Sequence, residues 1–229
     1  MHNLLKNAYV TAVLVAGLAT TLLLSTDGLR QEWLMFLALL ILAALSGSRA
    51  VRIPRLGVQL TAADMFTFCA VALLAPMAAP VVAMVGVLGA QFGPDRQPLS
   101  LKTAFNVGAV MVAASGAAGC FGALQGTSGA GIVEATPYLL ASAAVYLAIN
   151  LVLVAAAISL ENRSKALGVF SITAPRAAVA CFASLVLAMG LVLAVQAAGP
   201  AALILGLFGT APLLAYFREH KRQLDGAAA

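Results

Sequence analysis

Apolar residues run along the chain in long, nearly unbroken blocks, separated by short clusters of Gly, Pro, Ser, Asp and basic residues. Neither the alternation of a half-buried strand nor the polar stripe of a surface helix interrupts these blocks, a pattern that belongs to helices apolar on every side. Eight segments follow: 8–24, 33–48, 61–77, 79–92, 101–124, 137–160, 174–198 and 201–217. Thr26-Asp27-Gly28 closes the first, Ser46-Gly47-Ser48 loosens the end of the second, and the stretch from Pro76 to Pro80 separates the third from the fourth. Gly93-Pro94-Asp95 ends the fourth, and Gly199-Pro200 divides the last two. A helix crossing bilayer hydrocarbon needs roughly 20 apolar residues. The pattern predicts an all-α, polytopic transmembrane helix bundle. The third and fourth segments are short and the turn between them is uncharged, so eight spans and six spans plus a short helical pair are both open.

Composition removes the competing classes. The chain has 229 residues, 62% hydrophobic and 9% charged, with mean hydropathy +1.02, whereas a soluble domain carries about 25% charged residues. No separate soluble domain fits, and the expected division is a bundle over 1–217 followed by a basic cytoplasmic tail over 218–229. The first block follows Lys6 as a signal peptide would, but it is long and no Ala-x-Ala site follows it, so a retained helix is expected. Cys69, Cys120 and Cys181 all lie inside apolar runs without short spacing, as small buried hydrophobes do.

The charge is +5 with pI near 9.5, yet the basic residues sit in short loops beside apolar segments rather than in a nucleic-acid-binding stripe. Alternate loops divide them unevenly: of 13 Lys and Arg, Arg30 alone falls on one side. Basic residues favour the cytoplasmic side of a membrane. Both termini are therefore expected in the cytoplasm, with the protein in the bacterial inner membrane and no nucleic acid among its partners.

Few residues carry chemistry. Asp64 is the only acid within a predicted span, and a carboxylate at depth is a functional candidate by default. The run Thr61-Ala62-Ala63-Asp64 equally has capping-box spacing, with Thr61 as N-cap. Asn106 and Asn150 lie far from charged loops and need partners in a medium without water, either as interhelical glue or as ligand or gating groups. Thr67, Gln91 and Arg176 complete the candidate set, and convergence of Asp64, Thr67, Gln91, Asn106 and Arg176 would make a polar vestibule in the cytoplasmic half. Arg176 also suits headgroup snorkelling. Ser115, Gly116, Gly119 and Gly122 form a small-residue surface suited to close helix packing or a dimer seam. Arg218, Lys221 and Arg222 suit lipid headgroups.

Other chemistries lack their residues. No mid-membrane lysine offers a Schiff base, no intramembrane histidine offers a haem or metal ligand, and no phosphate-binding Gly-rich loop occurs. The chain is expected to be non-enzymatic, without cofactor or metal.

The stretch GVQLTAADMFTFCAVALLAPMAAPVVAMVGVLGAQF (57–92), with Phe105-Asn106 and the run NLVLVA (150–155), resembles the multi-span module found ahead of bacterial HD-GYP phosphodiesterases and diguanylate cyclases. PLLAYFREHKRQL (212–224) resembles that module's last helix running into a basic stretch, so the resemblance covers about three quarters of the chain. No GGDEF, EAL or HD-GYP segment lies within the 229 residues. The central pattern also resembles the substrate-binding components of energy-coupling-factor vitamin transporters. These resemblances imply a sensory or anchoring membrane module working with a cytoplasmic signalling partner, or else a component of small-molecule uptake. A structural membrane assembly protein is the third expectation, and the expected partners are membrane lipids and either a second copy of the chain or a cytoplasmic signalling protein.

Overall fold

A computed structural model describes residues 2–24, 32–48, 51–53, 58–60, 62–92, 100–125, 134–162 and 166–203. Seven α-helices account for most of them: α1 (His2–Leu22), α2 (Trp33–Gly47), α3 (Ala63–Leu73), α4 (Ala78–Gly89), α5 (Leu101–Gln125), α6 (Thr136–Asn162) and α7 (Ala166–Ala198). One short turn of 3-10 helix, Ala90–Phe92, extends α4. The eighth predicted segment and the basic tail lie outside the described residues apart from its first turn.

Among the described residues four helices are long and apolar enough to cross a membrane, those within α1, α5, α6 and α7, while α2, α3 and α4 are shorter apolar helices. The chain thus has the build of an integral membrane protein. At 1.5 Å per residue α3 is only ~16 Å long and α4 ~18 Å, well under the ~30 Å of bilayer hydrocarbon.

Between α2 and α3 the chain forms a two-stranded antiparallel ribbon, β1 (Val51–Ile53) with β2 (Val58–Leu60), in register Val51 to Leu60. Helix periodicity does not announce it, although Val-x-Ile and Val-x-Leu alternate as strands do.

α3 is buried on every side: Met65, Phe66, Thr67, Phe68, Cys69, Ala70 and Val71 all lie in the core. It packs against α2, α4 and α7 and touches α5 and α6. A helix apolar on every side needs apolar surroundings, and for α3 the neighbouring helices supply them. It ends where Leu74 turns extended ahead of Pro76, and Pro80 falls in the first turn of α4, where proline costs little.

Glycines set how closely the helices approach. Gly47 of α2 faces the Gly86 backbone of α4, and Gly89 of α4 faces the Ala44 backbone, so a side chain at either position would collide with main chain. Gly17 of α1 and Gly108 of α5 form a second such crossing, where a Cβ on Gly108 would stand 2.6 Å from the Leu14 Cα. In lipid, where water drives no helices together, such close packing is a main source of association.

α7 spans 33 residues and carries Pro175 inside it. The expected start at 174 is therefore corrected to Ala166, because a membrane helix tolerates one missing N–H when its neighbours shelter the freed carbonyl. Gly199, at φ 75°, ends the helix in the left-handed conformation glycine favours, and Pro200 opens the next turn.

Candidate functional site

Asp64 lies in the first turn of α3, and its Oδ1 accepts a 2.9 Å hydrogen bond from the hydroxyl of Tyr146 on α6. The carboxylate is half-buried and the tyrosine 3% exposed. Phe68, one turn after Asp64 on the same face of α3, packs edge-on to the Tyr146 ring at 5.3 Å and 71°. Cys181 of α7 directs its thiol to the Ala143 carbonyl at 3.8 Å, one turn before Tyr146. α3, α6 and α7 therefore meet at this point.

The contact lies deep. Tyr146 is ~15 Å from the start of α6 at Thr136 and ~24 Å from its end at Asn162. Farther along α3, the Cys69 thiol reaches the Ala188 carbonyl of α7 at 3.8 Å, and Ala72 adjoins Thr136 and Val192 beside a small apolar gap. The α3–α4 hairpin thus occupies the half of the bundle where α6 begins, with its Leu74–Met77 turn toward that end and Asp64 at its open end in mid-bundle.

Helix α3 takes Ala62 as N-cap without a side-chain hydrogen bond, and Thr61 lies outside the described residues. Asp64 binds another helix instead. A carboxylate held by a tyrosine hydroxyl can accept or release a proton and can exchange that donor for a ligand's, which suits it to recognition.

The other predicted candidates do not all gather there. Thr67 is fully buried on α3, with its hydroxyl 3.4 Å from the Ala63 carbonyl. Asn150 is half-buried one turn after Tyr146 on the same face of α6. Gln91 lies in the 3-10 turn after α4, its Oε1 buried without a partner. Asn106 is exposed on α5 and lines a different cavity, together with Lys6 and Glu161. On α6, Glu161 lies ~22 Å from Tyr146, so Asp64 and Asn106 belong to separate places. Arg176 is placed within α7, and its side chain lies outside the described atoms.

In the small-residue set, Ser115 is buried with its hydroxyl unpartnered, and Gly116 faces Ile149 and Val145 of α6. Gly119 and Gly122 face open space, with nothing within 4 Å of an added Cβ. Arg218, Lys221 and Arg222 lie outside the described residues. Among the described residues, no three His, Cys, Asp or Glu side chains group to hold a metal.

Sequence reasoning missed Tyr146, whose immediate sequence neighbours from Ala143 to Ile149 are all apolar, and a second cluster at the opposite end of α6. There Lys6 Nζ and Lys102 Nζ stand 3.2 and 3.6 Å from the same oxygen of Glu161. Tyr9 donates to the Leu153 carbonyl at 3.0 Å and stacks on Phe105 with ring centres 6.0 Å apart.

No protein-family model, curated protein or solved structure matches this chain.

Proposed function

We propose that this chain is a non-enzymatic sensory module of the bacterial inner membrane, with both termini in the cytoplasm and the α3–α4 hairpin inserted without crossing. The observation that carries this reading is the Asp64–Tyr146 hydrogen bond, which links the first turn of a short enclosed hairpin to the middle of α6. A ligand or proton that competes for Asp64 shifts the hairpin against α6 and α7, and the last segment transmits that shift to a cytoplasmic signalling protein. Energetic coupling of this kind needs one element with two arrangements, and the hairpin is that element.

Hydrogen–deuterium exchange on the full chain in nanodiscs tests it. Asp64→Asn should change exchange in 212–229 several-fold while α1 is unaltered. Identical exchange throughout the tail defeats the sensory reading.

A second reading, the substrate-binding component of a small-molecule uptake transporter, is favoured by the same hairpin, since interrupted helices with polar groups near the midplane form carrier sites. It predicts an organic solute that co-purifies with wild type and is lost in Asp64→Asn.

A further inference from the structure

Where α1 and α5 begin and α6 ends, an open cavity of about 470 Å³ lies between the three helices. Its inner wall is apolar, with Val10 and Phe105 buried and Val154 packed against them. Its rim is charged: Lys6, Lys102 and Glu161 keep 32, 72 and 38% of their side chains exposed. Both ammonium groups converge on one Glu161 oxygen, so a single carboxylate faces two cations and one positive charge is left over. Lys102, mostly in solvent, is only weakly held by that pair. The exposed amide of Asn106 adds a donor to the lining.

An apolar wall under a cationic rim, at the end of three membrane-length helices, matches an amphiphile with an anionic head rather than a free ion. We propose that this cavity binds the phosphate-bearing headgroup of an anionic phospholipid from the adjacent leaflet. Lys6 and Lys102 contact the phosphate, Asn106 donates to its ester or glycerol oxygens, and the first acyl carbons lie against Phe105 and Val154. Glu161 opposes the anion, and its role is to hold the two lysines in position while the site is empty. The proposal stands independently of Asp64.

The test is amine labelling of the full chain in nanodiscs, read residue by residue by mass spectrometry. Adding phosphatidylglycerol to phosphatidylcholine should slow labelling of Lys6 and Lys102 about fivefold relative to Lys165, the scale on which one basic side chain holds an anionic surface. Native mass spectrometry should show Lys102→Gln retaining one fewer phosphatidylglycerol; this solvent-exposed substitution leaves the fold intact. Equal slowing at Lys6, Lys102 and Lys165 overturns the proposal, as does unchanged retention in Lys102→Gln. Inorganic phosphate protecting Lys6 and Lys102 in pure phosphatidylcholine as well as the lipid does would also overturn it, by making the cavity a free-anion site.

Discussion

Asp64 and Tyr146, 82 positions apart in sequence, are joined by a 2.9 Å hydrogen bond at the middle of the bundle. A donor to a carboxylate away from water contributes about 1.5–3 kcal/mol. Tyr146→Phe keeps the ring against Phe68 and removes only the hydroxyl, so it should destabilise the protein by about that amount in fixed detergent. Combined with Asp64→Asn, the double variant should lose less than the sum of the singles, with a coupling energy of about 0.5–3 kcal/mol. Additive losses in thermal melting would show that the two side chains do not depend on each other.

The crossing of α2 and α4 makes a sharper prediction from smaller residues. Gly47→Ala drives a methyl group into the Gly86 backbone, which side-chain rotation cannot relieve, and should cost about 1–3 kcal/mol. Gly119→Ala meets open space and should be neutral or stabilising by up to about 1 kcal/mol, through the better helix propensity of alanine. Equal melting temperatures for the two variants would contradict the packing described.

Orientation is tested at the chain end. If both termini are cytoplasmic, as the division of basic residues between alternate predicted loops implies, a reporter active only in the periplasm and fused after Ala229 should stay silent. Strong reporter activity would invert the topology.

The ionic cluster at the end of α6 should matter little for stability. Lys6 and Glu161 are partly solvated, so Glu161→Gln should shift unfolding by less than about 1 kcal/mol. A loss of several kcal/mol would mean the cluster fastens α1 to the bundle.

Helix content was legible because breakers sit where helices end: Gly199 and Pro200 close α7, and Phe92 ends the turn after α4. Pro175 misled, since it looks like a helix start and instead lies inside α7. The third segment was drawn too long because Leu74 and Ala75 are as apolar as the helix they leave. Asp64 stood out as a lone acid, but its partner did not, because a tyrosine in an apolar run looks like any aromatic core residue. Rotation about the helix axis was the least legible property. α5 is apolar nearly all round, so nothing in its residues says that Asn106 faces outward or that Gly108, rather than Gly119, meets a neighbouring helix.

The enclosure of α3 also bears on biogenesis. Ribosomal synthesis delivers α3 and α4 long before α6 and α7, yet α7 forms one wall around α3 and α6 provides the tyrosine for Asp64. At ~16 Å, α3 is too short to be laterally released as an independent span. Until the later helices emerge, its carboxylate has no Tyr146 and one flank has no α7. The Asp64–Tyr146 contact can therefore form only after α6 has been synthesised, so the seat of α3 is completed by the chain that follows it.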